Sequence, residues 1–194
     1  MKRGYIIRIA DVFLGAAMAI SVLGASLACR ADSAGLPRKL ELAFSSGAGG
    51  WGTEIVVRKD GSFKGSYHDS DLGDTGKGYR GGTVRYCNFS GRFGKIEKLG
   101  KKKYSMSLVT LEPEGDIGDT AVRNRVRYVR QEPYGMEKGK EFILYCPGYA
   151  VGRLPGQARE WLCMAAWISA GEEKLDGYVL YNKMMGYAFY GGLD

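Results

Sequence analysis

Short apolar segments, in which apolar residues alternate with polar ones or run together, recur along the chain between turn-forming residues. A period of two is typical of β-strands, whose successive side chains point to opposite faces. The segments that predict strands are residues 39–44, 53–58, 62–68, 83–93, 103–111, 125–132 and 141–146, followed by a last strand or hairpin around residues 183–186. They predict a mainly β domain, an antiparallel meander that curls into a barrel or a strongly bent sheet.

The hairpin between the second and third predicted strands admits two registers. A two-residue Asp-Gly loop would place the apolar residues of the two strands on opposite faces. A three-residue loop over residues 59–61 instead pairs Val57 with Phe63 and Thr53 with Tyr67. Because this register brings the apolar residues together, we predict the three-residue loop.

The segment RNRVRYVR alternates basic and apolar residues. As a strand it would place Arg123, Arg125 and Arg127 on one face and Val126 and Tyr128 on the other. We therefore predict a half-buried strand with a basic outer face.

One late segment has the apolar spacing of an α-helix. Pro155 suits the start of a helix and Gly171 suits its end, which predicts a helix over residues 155–170. The apolar residues of this segment are Trp161, Leu162, Ala165 and Ile168 at helical spacing, with Cys163, Met164 and Trp167 beside them. So wide an apolar stripe predicts a helix that packs on the sheet or caps one end of it.

The first 28 residues have the organisation of a secretory signal peptide. A basic start precedes an apolar stretch over residues 12–23, and small residues stand at the two positions that a signal peptidase inspects. We predict a signal peptide over residues 1–28, a tether over residues 29–37 and a single β-rich domain over residues 38–194. The alternative is an uncleaved membrane anchor over residues 12–29.

Cys29 follows directly after the small residues, in the segment LGASLAC. This segment resembles the box that precedes the lipid-bearing cysteine of bacterial lipoproteins, although Ser26 and Leu27 depart from it. Lipidation of Cys29 would hold the domain at the outer membrane face. We expect an extracytoplasmic protein, either secreted or lipid-anchored to the outer face of the cell membrane.

The remaining cysteines, Cys87, Cys146 and Cys163, do not have the spacing of a zinc site. A disulfide between Cys146 and Cys163 and a set of buried free thiols are equally compatible with the sequence of an exported protein.

The chain is basic, with a formal net charge of +7, which falls to about +5 without the signal peptide. An exported basic domain meets anionic lipid or wall polymer rather than nucleic acid, so we expect no nucleic-acid partner. The basic run over residues 92–103 fits either contact with an anionic surface or a charged hairpin tip.

The segment SYHDSDLGDTGKGYRGG brings Asp69, Asp71 and Asp74 together among glycines. Carboxylates in a flexible loop suit calcium, although the spacing is not that of an EF-hand and no glutamate closes the site. The alternative is a solvated acidic loop. Beyond calcium, the sequence predicts no cofactor.

His68 is the only histidine and precedes this acidic loop. A hydrolase could use it to activate Cys87 or a nearby serine, and the candidate serines are Ser45, Ser46 and Ser90. The sequence contains no nucleophile elbow, so an ordinary histidine at a strand end is the alternative. The glycine-rich segment over residues 45–52 lacks the features of a phosphate loop and is expected to let the chain bend sharply before Trp51.

Four aromatic residues in or near the predicted strands, Trp51, Tyr67, Tyr79 and Tyr86, are candidates for ligand binding. An aromatic face or barrel mouth can hold an apolar ligand or a sugar. Packing in the core is the alternative for each of them.

The run FSSGAGGWGTEIVVRKDGSFKGSYHDSD, followed by GDTGKGY, YCNFSGRF and EPYG, resembles an uncharacterised family of secreted or lipid-anchored domains of Gram-positive bacteria. The resemblance implies an extracytoplasmic location and one compact β domain, and it transfers no catalytic residue. The tryptophan and the following hairpin are also loosely similar to the start of a lipocalin-type barrel.

Three functions are compatible with these features. The first is a non-enzymatic, envelope-associated domain that binds a small apolar or sugar ligand or another envelope protein. The second is an exported hydrolase that uses His68 and the loop from Asp69 to Asp74. The third is an interaction module whose loop is stiffened by calcium.

Overall fold

The computed structural model describes residues 36–169 and 171–192. The predicted signal peptide, Cys29 and most of the tether lie outside these residues. The strands are β1 (Lys39–Ser45), β2 (Trp51–Arg58), β3 (Ser62–Asp71), β4 (Thr83–Gly100), β5 (Lys103–Pro113), β6 (Thr120–Arg123), β7 (Val126–Arg130), β8 (Glu141–Tyr145), β9 (Tyr178–Asn182) and β10 (Tyr187–Gly191). A 3₁₀ turn (Val151–Arg153) precedes one helix, α1 (Gly156–Met164).

Eight strands form a closed antiparallel barrel in the order β1-β2-β3-β4-β5-β8-β9-β10, with β10 paired to β1. The long strand β4 closes the ring, because it pairs with β3 along one edge and with β5 along the other. Closure leaves no exposed edge within the ring itself. The predicted fold class, a mainly β antiparallel barrel with one late helix, is confirmed.

The register predicted for the first hairpin is also confirmed. Val57 pairs with Phe63 and Thr53 pairs with Tyr67 across β2 and β3. The predicted hairpin near the end of the chain is formed by β9 and β10, in which Tyr187 pairs with Asn182.

The single strand predicted over residues 125–132 is wrong at its start. Arg123 ends β6 and pairs with Val126 of β7, and the two residues between them, Asn124 and Arg125, both have positive φ. The arginines therefore belong to a tight hairpin rather than to one face of one strand. This hairpin lies outside the ring, where β7 pairs in parallel with the start of β4.

The helix is shorter than predicted and its apolar stripe is narrower. It ends at Met164, and Ala166 has a φ of 57° that no α-helix continues. Leu162 is buried, but Cys163 and Met164 are exposed. The buried face of α1 packs on the outer side of β8, β9 and β10, in an apolar cluster that includes Ala158. No helix in the described ranges is long and apolar enough to cross a membrane.

Phenylalanine rings fill the inside of the barrel. The fully buried ones are Phe44, Phe63, Phe89, Phe93, Phe142 and Phe189. Since these rings occupy the interior, a ligand has to bind at an end of the barrel or on its surface.

Candidate ligand site at the mouth of the barrel

The loop between β7 and β8 enters one end of the barrel, and we call its residues 133–139 the plug. Thr53 Oγ1 donates a hydrogen bond of 2.6 Å to the carbonyl oxygen of Tyr134. Asn182 Nδ2 donates one of 2.9 Å to the carbonyl oxygen of Gly135. Gly135 has a φ of 97°, and a Cβ there would lie 2.7 Å from the ring of Phe44. The plug is therefore held from two sides of the barrel and fits only with glycine at this position.

Phe44 lies at one end of the filled core, where aromatic rings from four separate segments surround it. Its ring centroid lies 5.1 Å from that of Trp51, 5.4 Å from that of Tyr134 and 4.9 Å from that of Trp161. The ring of Tyr187 stacks on it at 5.0 Å. Edge and stacked contacts at these distances stabilise a rigid aromatic floor.

Two adjoining cavities open above this floor, and we call them together the mouth. The first has a volume of about 500 Å³ and is lined by Ser46, Trp51, Tyr67, Asp69, Tyr134, Trp161 and Met164. The second has a volume of about 360 Å³ and is lined by Tyr67, Ile117, Gln131, Glu132, Tyr134 and Glu137. Tyr67 and Tyr134 belong to both cavities. The volume and the aromatic walls of the first cavity suit a small molecule, and the second cavity adds polar and acidic groups beside it.

The tyrosines of the mouth stay protonated at neutral pH. Burial raises the pKa of Tyr67 to about 12; the charge of Asp69 adds to this effect, Arg85 opposes it and Glu137 adds a further contribution. Burial also raises the pKa of Tyr134, and a hydrogen bond with Tyr187 acts in the same direction. Both rings are therefore neutral walls that carry a hydroxyl group.

Glu137 is the one acidic plug residue, and its carboxylate is poorly accommodated. Burial raises its pKa, against hydrogen bonds from the backbone N–H groups of Glu137 itself and of Gly135. Its Oε2 atom is buried without a hydrogen-bond partner among the described residues. An ionised oxygen in this position is costly unless something else pairs with it.

Asp69 and Asp71 lie at the end of β3 and not in a loop as predicted, and together with Asp74 they are paired with arginines. The guanidinium nitrogens of Arg85 lie 3.1 Å from a carboxylate oxygen of Asp74, 3.6 Å from one of Asp69 and 3.9 Å from one of Asp71. A guanidinium nitrogen of Arg127 lies 2.6 Å from the same oxygen of Asp74. Within the described part of the chain, no group of three or more His, Cys, Asp or Glu residues is placed to hold a metal ion. Calcium binding by the three aspartates, which the sequence allows, would require an ion to displace these arginines.

Of the four aromatic residues predicted to bind a ligand, the structure brings two together. Trp51 and Tyr67 line the first cavity. Tyr79 instead accepts a hydrogen bond of 3.0 Å from Arg127, whose guanidinium group lies 4.5 Å from the ring centroid. The guanidinium group of Arg130 lies over the ring of Tyr86, 5.1 Å from its centroid.

His68 and Cys87 lie on opposite faces of the barrel wall. His68 is exposed on β3, whereas Cys87 is buried on β4. Burial raises the pKa of the Cys87 thiol to about 11, so the thiolate that a nucleophile needs is disfavoured. Cys87, Cys146 and Cys163 are all free thiols.

Sequence reasoning did not identify Tyr134, Trp161 and Glu137 as site residues. The sequence predicts for Trp161 only that its helix packs on the sheet or caps one end of it, and Tyr134 lies in a loop that no apolar periodicity marks. The glycine that follows Tyr134 in EPYG is the one sequence signal of a close approach at this point.

Comparison with protein-family models, with curated proteins and with solved structures finds no match to this chain. The resemblance to a family of secreted Gram-positive domains therefore stays a prediction.

Proposed function

We propose that this protein is a non-enzymatic binding protein of the cell envelope that holds a small ligand at the mouth of its barrel. The observation that carries the proposal is the first cavity, where the side chains of Trp51, Tyr67, Tyr134 and Trp161 converge. Aromatic walls of this kind supply most of the contact area in small-molecule sites.

The surroundings of the cavity support a preformed site. The floor is part of the packed core, and Thr53 and Asn182 fix the plug that carries Tyr134. Trp51, Tyr134 and Trp161 are only half-buried, so each retains a ring surface that a ligand can cover. A rigid site loses little conformational entropy when it binds.

The location follows from the sequence features before the domain. We propose that residues 1–28 direct export and that Cys29 carries a lipid that holds the domain at the outer face of the cell membrane. A radiolabelled fatty acid fed to the cells should then be incorporated into the wild-type protein and not into Cys29→Ser. Absence of label from the wild-type protein would contradict lipid anchoring.

Native mass spectrometry of the exported domain tests the binding function. We expect a small molecule to co-purify with the wild-type protein and to be absent from Trp51→Ala, which removes one wall of the cavity. His68→Ala is the matched control, because His68 is exposed outside the barrel, and it should keep the ligand. A bound mass that survives in Trp51→Ala, or that is lost only in His68→Ala, would overturn the proposal.

A further inference from the structure

We infer that the mouth recognises an organic cation with an apolar body, such as a quaternary ammonium group. This inference rests on the proposed function and names the ligand class of the same site. It depends on the aromatic walls together with the carboxylates Asp69 and Glu137 that stand beside them.

The charge of the mouth is opposite to the charge of the chain. The residues that line the two cavities include the three acidic residues Asp69, Glu132 and Glu137 and neither a lysine nor an arginine. The chain as a whole has 28 Lys and Arg residues against 21 Asp and Glu residues. A local excess of negative charge in a basic protein favours a cationic ligand.

Arg85 is shared by three carboxylates and is not paired with Asp69 alone. It lies 3.6 Å from Asp69 but only 3.1 Å from Asp74, and it also faces Asp71. With Arg127, two guanidinium groups face three carboxylates, which leaves one negative charge at this side of the mouth. Asp69 is the member of the group that lines the first cavity.

Glu137 supplies a second negative group on the other side of Tyr67. Its Oε2 atom is buried and has no partner among the described residues. A cation in the mouth would compensate the charge that burial makes costly in the free protein. Tyr67 lies near both carboxylates, and the charges of Asp69 and Glu137 each raise its pKa.

Aromatic faces add the second half of the recognition. A cation within about 6 Å of a ring centroid is attracted by the negative face of the ring, most strongly by tryptophan, and desolvation strengthens this attraction. The ring centroids of Trp51 and Tyr134 lie 5.2 Å apart, and the planes of these two rings are inclined at 69°. The ring centroids of Tyr67 and Tyr134 lie 6.2 Å apart, with their planes inclined at 57°. A sugar or a neutral apolar ligand would use the rings but leave the carboxylates without a partner.

Three probes of equal shape and different charge test the inference. Choline is the cation, dimethylbutanol replaces its nitrogen by carbon, and dimethylbutanoate is the anion. Each is titrated at constant ionic strength while tryptophan fluorescence is recorded. The protein carries Trp167→Phe, because Trp167 stacks on Tyr190 in the other apolar cluster. Trp51 and Trp161 then report on the mouth alone.

We expect choline to bind roughly tenfold more tightly than dimethylbutanol, and dimethylbutanoate not to bind. Asp69→Asn and Glu137→Gln should each reduce the preference for choline over the alcohol. Glu173→Gln, which changes an exposed carboxylate outside the mouth, should leave it unchanged.

The outcomes separate the inference from the proposed function. Equal binding of choline and dimethylbutanol would overturn the cation inference and leave a binding site for neutral ligands. No response of the mouth tryptophans to any of the probes would count against both. A preference for choline that survives in Asp69→Asn and in Glu137→Gln would show that these carboxylates do not recognise the cation.

Discussion

Thr53 and Asn182 are fully buried polar residues, and both use their side-chain donors to hold the plug. Asn182 also accepts backbone hydrogen bonds from Met184 at 3.1 Å and Met185 at 3.4 Å, so it fixes the turn between β9 and β10 as well. Buried polar groups are retained where they have partners. Here those partners are carbonyl oxygens of a loop that would otherwise enter an apolar barrel unpaired.

Thr53→Val should destabilise the protein by about 1–3 kcal/mol, because the carbonyl oxygen of Tyr134 would be left buried without its donor. The substitution preserves shape, so a cavity does not contribute to the loss. Urea denaturation measures the effect, and Thr110→Val, at an exposed position of β5, is the control. Equal unfolding midpoints for the two variants would show that Thr53 does not hold the plug.

Glu137→Gln should stabilise the ligand-free protein at neutral pH. Burial raises the pKa of Glu137 in the folded state, so folding favours the protonated form, and stability is lost as pH rises from the ordinary carboxyl range through that raised pKa. Glutamine removes this loss, and we expect a melting temperature higher by about 2–4 °C. The difference between variant and wild type should grow as pH rises across this window. A difference that is constant with pH, or that shrinks, would contradict an ionised Glu137 in the mouth.

At the scale of elements, β3 and β4 are joined by reciprocal pairs of phenylalanine and glycine. Phe63 pairs with Gly91 and Gly65 pairs with Phe89, so each ring lies over the glycine of the opposite strand. A Cβ at Gly65 would lie 2.4 Å from the ring of Phe89 and 2.5 Å from the backbone oxygen of Glu54. The segments FKG and FSG therefore form one packing unit inside the barrel.

Gly65→Ala should cost about 1–3 kcal/mol or more, because the added methyl group overlaps both a fixed ring and the backbone. Gly50→Ala is the matched control, since a Cβ there has no neighbour within 4 Å among the described residues. Thermal unfolding of the two variants gives the comparison. Similar melting temperatures would contradict the packing of Phe89 against Gly65.

Asp69, Asp71 and Asp74 already contact Arg85 or Arg127, and we expect calcium to leave the stability of the protein unchanged. An ion would have to displace Arg85 and Arg127 from the carboxylates they contact. The measurement is a thermal melt of residues 30–194 with chelator and with millimolar calcium. A calcium-induced rise in the melting temperature that disappears in the double variant Asp69→Asn/Asp71→Asn would contradict this expectation and establish a metal site.

The elements were predictable where apolar residues had to share a face. The pairing of Thr53 with Tyr67 follows from that requirement, and it also places Trp51 next to Asp69 at the strand ends. The hairpin of β6 and β7 was missed because β6 is short and exposed and because Asn124 and Arg125 turn the chain without a glycine. Local patterns do not contain that information.

At the scale of the whole molecule, the mouth is assembled from segments that are far apart in the sequence. Trp51 and Tyr67 come from β2 and β3, Tyr134 from the plug, and Trp161 from α1. The strand residues could be predicted because strand pairing is local here. The other two depend on how a loop and a helix pack on a closed barrel, and no periodicity in the sequence reports that packing.

The barrel and its additions have separate roles in this account. The ring of eight strands supplies a rigid support that is filled with phenylalanine. The plug and α1 add Tyr134, Glu137 and Trp161 to the walls that Trp51, Tyr67 and Asp69 begin at the ends of β2 and β3. A binding protein of this kind places its site on the support rather than inside it.

The most direct test of this account is a nitrogen–proton correlation spectrum of the three indole groups, Trp51, Trp161 and Trp167, during titration with choline and with dimethylbutanol. We predict saturable shifts of the Trp51 and Trp161 resonances, larger for choline, and no shift of Trp167. Unchanged Trp51 and Trp161 resonances with both compounds, or a response confined to Trp167, would contradict a ligand site at the mouth of the barrel.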